Sequence, residues 1–359
     1  MSCQKKLILV IGATGAQGIA VIDALLAYAK DGSPSPWAIR ALTRNPENRR
    51  AKELESKGVE LFKGAFDDFN SVREALRGVY GAFVNTDGFT VTEAKEINSA
   101  IRLFELAKEV RTVRHYVWSN LDYALKLGGW DPQYRCVHSS SKGKVGEWIT
   151  VQPSEPTEHG MSWTQITTGP YMDMLYHMMF GPLNIREDGT RVFASPIEQG
   201  KAPMIALADI GFFARYTFDN REKTSGQDLQ VASELVSWDN LVETFTRVTG
   251  HKAVYVHQTI DEWMDNFHNV DVPLGTEEKI IGPTTITWRQ NFSAWWCMWR
   301  DGIVMRDMNW IRGIHPDGYT LERWMREEKY EGIIHRNLLK LVEDGDASVR
   351  LNLQRVSTL

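Results

Sequence analysis

The sequence predicts an α/β protein, a doubly wound parallel sheet followed by a smaller mixed α/β domain. Three observations carry that reading. A short apolar run, KLILVI at residues 6–11, ends on a glycine turn and leads into a segment of helical spacing. Apolar runs and amphipathic runs then alternate, with short links, for roughly the first 150 residues. After that the rhythm stops and tryptophan accumulates: eight of the 13 lie at or after Trp238. Strands buried on both faces read as near-continuous apolar runs, and their alternation with helices is the pattern of a parallel sheet covered on both sides.

Taken in order, residues 6–11 form the first strand. Residues 18–29 form the first helix, with Ile19, Ile22, Leu25, Leu26 and Ala29 at helical spacing. DGSPSP at 31–36 is a loop by composition. Residues 37–44 are the second strand and 47–57 a charged surface helix. A strand at 59–63, a helix at 70–77 closed by Gly78, a strand at 80–85, a long helix at 93–110 and a strand at 115–119 follow. Ser162 to Thr168 is one more strand, leading into Gly169-Pro170-Tyr171-Met172. Residues 176–205, rich in Gly, Pro and Met, show no period. Helices are expected at 209–218 and 238–249, and a Trp-rich helical stretch at 292–313. The sheet domain is read as 1–155, with returning segments near 162–170 and 203–235. The smaller, substrate domain is 171–202 and 236–345, and 346–359 is a polar tail expected to fray.

Composition narrows the function classes. A net charge of -5 leaves no basic excess to neutralise phosphates, which argues against nucleic acid as partner. Three scattered cysteines make neither a disulfide framework nor a zinc site, and the histidines show no metal-ligand spacing. Free thiols, the absence of a signal-like leader and of any long apolar stretch give a cytoplasmic protein with no membrane and no metal as the expectation. A small-molecule substrate is expected, and the oligomeric state is left open.

Gly12-Ala13-Thr14-Gly15-Ala16-Gln17-Gly18 lies between the first strand and the first helix. Glycines there let the chain turn tightly and approach a pyrophosphate, which rests on the N–H groups opening the helix. Gly12, Thr14, Gly15, Ala16, Gln17 and Gly18 are therefore candidate dinucleotide contacts. At the end of the second strand stands Arg44, where NAD binders place an acid; a guanidinium suits the 2′-phosphate of NADP by charge and forked geometry. Arg40 is either a second contact or the partner of a carboxylate. Asn85 and Thr86, at the end of the fourth strand, should face the cofactor, since ligands lie outside the carboxyl ends of such strands.

The G-x-x-G-x-x-G spacing, ALTRNP at 41–46, GVELFKGAFDD at 58–68, RHYVWSNL at 114–121, HSSSKGKVGEWI at 138–149 and ALADIGFFA at 206–214 resemble the NmrA-like family of atypical short-chain dehydrogenases/reductases. The segment 299–327 resembles fungal members in particular. The resemblance implies a Rossmann-type fold, NADP(H) as cofactor and a 2′-phosphate role for Arg44. It implies an adenine contact near Phe66, although family members commonly have Gly-Asp where this chain has Gly64-Ala65.

Many relatives use a Tyr-x-x-x-Lys pair, the tyrosine exchanging a proton with substrate and the lysine holding the nicotinamide ribose. The matching segment here is His138-Ser139-Ser140-Ser141-Lys142, so the lysine is kept and the tyrosine replaced. The serine of the usual triad falls near Leu121 and is absent. His138, one turn before Lys142, is either the proton donor or a satisfied helix-start residue. Tyr171, in a loop that resembles the one lying against the nicotinamide, is the other hydroxyl candidate. Trp295, Trp299 and Met172 are candidates for the wall of a substrate pocket, or for plain core. Two functions follow: an NADPH-dependent reductase of an aromatic or polyketide-like metabolite, in secondary metabolism, or a non-catalytic NADP(H) sensor acting through a protein partner.

Overall fold

A computed structural model describes residues 5–29, 31–277, 282, 285–334 and 349–359. In chain order the elements begin β1 (Lys6–Ile11), α1 (Ala16–Leu26), β2 (Trp37–Thr43), α2 (Arg49–Ser56), β3 (Glu60–Lys63), α3 (Phe69–Ala75), β4 (Gly81–Val84), α4 (Glu93–Glu109) and β5 (His115–Leu121). They continue with α5 (Ala124–Leu127), α6 (Val137–Thr150), β6 (Ser162–Thr168), β7 (Asn184–Ile185), β8 (Arg191–Ser195), β9 (Ala202–Met204), α7 (Leu207–Asp219), α8 (Arg221–Thr224) and β10 (Gln227–Gln230). The last are β11 (Glu234–Val236), α9 (Trp238–Thr249), β12 (Ala253–His257), α10 (Ile260–Met264), β13 (Phe267–His268), α11 (Trp288–Arg300), α12 (Met308–Ile314), α13 (Leu321–Glu327) and β14 (Arg350–Leu351).

The chain divides into two units. The first comprises Met1–Leu121, Ser141–Thr167 and Ile210–Gln230; the second comprises Asp122–Ser140, Thr168–Asp209 and Val231–Leu359. The first unit is the doubly wound sheet that the alternation predicts, with strands in the order β3-β2-β1-β4-β5-β6-β10. The pairings of β1 with β2 and β4, β2 with β3, β4 with β5, and β6 with β10 are all parallel.

Alternation along β1 sorts the two faces. Leu9 and Ile11 join a core with Val72 of α3, Leu103 and Phe104 of α4, and Val145 and Ile149 of α6. Ile8 lies on the opposite face with Phe218 of α7, since a Cβ on Gly81 would meet both side chains. There α7 packs on α1, with room only for hydrogen at Gly211, whose Cβ would stand 2.5 Å from the Ala20 carbonyl oxygen. Arg215 ties the same two helices by donating to the carbonyls of Ala24 and Ala27 at 3.0 and 2.6 Å.

The seventh strand, β10, was not visible in the sequence. Its residues QDLQ bury only Leu229, so an edge strand reads as a polar link. The first helix ends at Leu26 rather than at residue 29, because Ala27 already has extended backbone.

The second unit is built from short pieces. β12, β8 and β7 form one three-stranded sheet, β11 pairs with β9, and β13 pairs with β14. The aperiodic stretch 176–205 therefore holds three strands of two to five residues, too short for a period to register. The expected single helix at 292–313 is two helices, α11 and α12, separated where Gly302 adopts φ +66°. Side-chain caps fix the starts: Ser237 on α9, Thr320 on α13, and capping boxes of Thr259 with Glu262 and Thr287 with Gln290. Of the tail expected to fray, residues 346–348 lie outside the described residues, and in the rest Arg350–Leu351 is a strand and Leu353–Val356 a short helix, anchored by the buried Val349 and Val356.

Aromatic side chains fill this unit. Trp296 meets Trp238, Trp263, Trp295 and Trp299 with ring centroids 5.2–5.8 Å apart, and is itself fully buried. Phe180 stacks on Trp295 at 5.2 Å with the planes 13° apart.

Candidate functional site

In the first unit the strand order reverses between β1 and β4, and the crevice outside the carboxyl ends at such a reversal is where open α/β sheets take ligands. β1 and β4 lie in register, Ile11 beside Val84, so the turn at Gly12 meets the segment Asn85-Thr86. The approach is close: a Cβ on Gly12, which has φ +80°, would stand 2.7 Å from the Asn85 carbonyl oxygen. At Gly18 a Cβ would fall 2.2 Å from the Gly12 carbonyl oxygen, so this glycine lets α1 lie against the turn.

Gly15 is different. Its backbone is ordinary, φ -79° and ψ 165°, and an added Cβ would have one near atom, the Gly12 carbonyl oxygen at 3.3 Å. The fold can accept a side chain there, so the missing one leaves space in front of the turn. Gly15 is also the N-cap of α1, with no side-chain cap and no acidic residue in the first turn. The N–H groups opening that helix therefore face outward without a protein acceptor from a cap, which is the arrangement that takes an anion. The residues fit a dinucleotide pyrophosphate on this ground. Gln17 is buried and accepts a hydrogen bond from Ser119 at 2.6 Å, so its side chain braces α1 on β5. Thr14 is buried as well, and its carbonyl accepts from Arg50 at 3.2 Å. Ala16 is half-buried.

Arg44 is exposed at the end of β2. Its charge is felt by Asp67: burial works to raise that carboxyl, but Lys95 at 2.8 Å and then Arg44 hold it below the usual range. Arg40 is the partner of a carboxylate, donating to Glu60 at 2.9 Å and to the carbonyls of Ala75 and Arg77. Phe66 is half-buried, its ring packed against the core on the α3–α4 face.

Lys142 comes to the same edge from α6. Its Nζ donates to the Thr86 carbonyl and Thr86 Oγ1, both at 2.9 Å, and to Asn85 Oδ1 at 3.2 Å. The ammonium lies 5.2 Å from the centre of the Trp118 ring. Behind it is Glu96, 3.3 Å away and 1% exposed, a residue the sequence reading missed. A signal was there: Glu96 shares the stripe of Ser99, Ala100, Leu103 and Ala107, a carboxylate on the buried face of α4. Arg50 was missed as well, a buried guanidinium on a helix that reads as all surface.

The remaining candidates belong to the second unit. His138, 8% exposed, lies against Phe292 and Trp295. Asn291 of α11 holds it: the amide oxygen accepts from the Val137 N–H at 2.9 Å, and the amide nitrogen lies 2.8 Å from His138 Nδ1. The amide oxygen lies 3.2 Å from the same Nδ1, so Asn291 meets that ring nitrogen in either tautomer. Cys136 Sγ also lies 3.4 Å from Nδ1, and burial pushes that thiol far up, so it is no nucleophile.

Tyr171 is half-buried and its backbone pairs with Ile205. Burial, and then the charge of Asp173, push its hydroxyl up to about 12. Asp173 is raised to about 6, by burial first and Glu328 among the rest, and its Oδ2 is buried without a hydrogen-bond partner.

Met172, Trp295 and Trp299 are core, 0%, 6% and 1% exposed. Aromatic rings pack against Trp295 and Trp299. A cleft of about 410 Å³ in the second unit, lined by Asn240, Thr244, Arg247, Met308 and Arg312 among others, contains none of the candidate residues. Among the described residues no group of three or more His, Cys, Asp or Glu side chains is placed to hold a metal ion, and no helix is long and apolar enough to cross a membrane.

A model of the NmrA-like family matches residues 4–291. The chain is 32% identical over 284 residues to the NmrA-like family domain-containing oxidoreductase notA of Aspergillus sp. (strain MF297-2), covering 73% of this chain and 78% of that one. Among solved structures it is similar to NmrA, a negative transcriptional regulator, in complex with NADP, with a TM-score of 0.67 at 18% identity over 98% of this chain and 99% of that one. It is also similar to the NADPH-dependent quinone oxidoreductase QOR2 of Escherichia coli complexed with NADPH, with a TM-score of 0.66 at 17% identity over 90% and 100%.

Proposed function

The chain belongs to the NmrA-like family, and from that premise we propose that it is an NADP(H)-dependent oxidoreductase acting on a small aromatic or polyketide-like metabolite at a carbonyl or conjugated double bond. The observation that carries this is the β1–β4 edge, where an uncapped helix start, a glycine with room in front of it and a buried ammonium converge. Gly12, Gly15, Gly18 and the start of α1 would hold the pyrophosphate, Arg44 the 2′-phosphate, and Lys142 with Asn85 and Thr86 the nicotinamide ribose. When bound, the cofactor supplies the hydride. The chain supplies orientation, and the proton would come from His138, from the Tyr171 hydroxyl, which burial keeps protonated, or from water. Relatives that carry the word oxidoreductase in their names support the reading.

The second reading is a regulatory NADP(H) sensor. It is favoured by one observation: His138 is packed between aromatic rings and tied to Asn291, as a satisfied residue would be. NADPH consumption with a panel of quinones, enones and aromatic ketones separates the two. Turnover that falls about 100-fold in His138→Gln but persists in Tyr171→Phe assigns the acid to the histidine, and the reverse assigns it to the tyrosine. No consumption with any member, together with cofactor-dependent binding of a protein partner, makes the sensor the better reading.

A further inference from the structure

We propose that Glu96 is a positioning residue for Lys142, a buried counter-charge that fixes the lysine's ammonium against the end of β4 and keeps one of its protons directed toward the glycine turn. The inference rests on the dinucleotide reading of that edge.

Both carboxylate oxygens of Glu96 are engaged. Oε1 accepts from Thr86 Oγ1 at 2.7 Å and faces Lys142 Nζ at 3.3 Å, while Oε2 accepts from Ser141 Oγ. The Thr86 hydroxyl works in two directions: it accepts from Lys142 and donates to Glu96, so ammonium, hydroxyl and carboxylate form a closed triangle. A carboxylate 1% exposed is tolerated only with a paired charge and satisfied oxygens, and Lys142 supplies the charge.

The chain after β4 is shaped around this carboxylate. A Cβ on Gly88 would stand 2.5 Å from Glu96 Oε2, and Gly88 has no left-handed backbone to explain it. A side chain at this position would displace the acid.

The ammonium has three protons and four oxygen neighbours: the Thr86 carbonyl, Thr86 Oγ1, Asn85 Oδ1 and Glu96. The Asn85 hydrogen bond is the longest of the three, 3.2 against 2.9 Å, and Asn85 is the residue whose backbone touches Gly12. A ligand hydroxyl arriving at the glycine turn therefore takes the proton that Asn85 holds, while Thr86 and Glu96 retain the rest of the ammonium. Glu96 acts through Lys142 and need touch no ligand.

The test is a double-mutant cycle on NADPH affinity, by titration calorimetry on the full chain. Glu96→Gln keeps the shape and removes the charge; Lys142→Met keeps the stem and removes the ammonium. We expect each single variant to weaken NADPH by about 10-fold or more, and the double variant to bind no more weakly than Lys142→Met alone, which is the signature of one residue working through another. Effects that multiply, or an unchanged affinity in Glu96→Gln, overturn the inference. A carboxylate with a merely structural role would lower the urea midpoint and leave the affinity of the folded protein unmoved. If Glu96→Gln does not fold, Glu96→Asp carries the test, since it keeps the charge and withdraws it from Lys142; weaker NADPH binding in it supports the inference and unchanged affinity overturns it. No NADPH binding by the unmodified protein defeats the dinucleotide reading and this inference together, whereas binding that depends on Lys142 but not on Glu96 defeats this inference alone.

Discussion

The two units differ in what fills their interiors, although each buries a satisfied ion pair, Lys142 with Glu96 in the first and Arg306 with Asp122 at 2.8 Å in the second. In the sheet unit a few charged side chains are brought inside and satisfied one by one, as Lys142 and Glu96 are. In the other unit the interior is aromatic, and the indole N–H groups of Trp238, Trp263 and Trp296 are buried with no hydrogen-bond partner. They lie edge-on to neighbouring rings, with interplanar angles of 73–74° for Trp296 against Trp263 and Trp238. A satisfied charge fixes a direction; a set of interlocking rings fixes only a volume. The difference teaches how each interior is specified.

The largest effect that can break the contrast is in the aromatic unit. Trp296→Ala should lower stability by about 3–5 kcal/mol, read as a urea midpoint, because the ring has neighbours on every side and the hole cannot collapse. Its affinity for NADPH, measured under conditions where the variant is folded, should be unchanged. A lost affinity would mean that the aromatic core serves the ligand after all.

Next is Gly15→Val, which should fold, by circular dichroism, and lose dinucleotide affinity by about 10³-fold, some 4 kcal/mol. The backbone at Gly15 suits any residue and the space belongs to the ligand. Gly18→Val is the contrasting variant, since its side chain would meet backbone atoms at 2.2–2.9 Å and should compromise folding itself. Equal behaviour of the two would remove the distinction between packing glycine and ligand glycine.

A smaller effect concerns acid. Asp173 is raised to about 6 from its ordinary 3.8, so its contribution to stability is full below about pH 3.8 and is lost as pH rises through 6. Asp173→Asn should therefore gain on the unmodified protein by up to ~3 kcal/mol between pH 4 and pH 7. His115, in the sheet unit, is lowered to about 3 by burial and then by Arg221, so its contribution is present above pH 6.5 and is lost as pH falls. The two groups pull stability in opposite directions over the same window, and urea midpoints at pH 4 and 7 check it. A pH-independent difference for Asp173→Asn would show the carboxyl to be ionised throughout.

The smallest effect sharpens cofactor choice. Arg44→Ala should narrow the preference for NADP over NAD by about 10-fold, ~1.4 kcal/mol, in calorimetric titrations. An exposed guanidinium is worth no more than that, and equal affinities in the unmodified protein would remove Arg44 from the site.

The sheet was legible because periodicity and burial coincide in it. KLILVI could only be a covered strand, and the glycines after it could only be a turn. β10 and the strands of 184–204 were illegible for the converse reason, being too short or too polar at the sheet edge to carry a period. Of the candidate site, residues defined by the backbone were readable: Gly12, Gly15, Gly18 and the strand end Asn85-Thr86. Lys142 was readable only through its motif. Glu96 was not, because its partners Ser141 and Lys142 lie more than 40 residues away and a glutamate in a helix looks like surface. His138 was read in the right helix but without Asn291, which comes from 153 positions further on.

The crowding of rings has an optical consequence. Nine of the thirteen tryptophans belong to the second unit, and several stand within 6 Å of one another in fixed, mostly tilted or edge-on pairs. Near-ultraviolet dichroism comes from aromatic groups held in one geometry and disappears when packing loosens, even where helices survive. The larger share of that signal therefore reports on the second unit, and the smaller share on Trp37, Trp118, Trp148 and Trp163 of the sheet unit. Of those four, Trp118 has its ring 5.2 Å from the Lys142 ammonium.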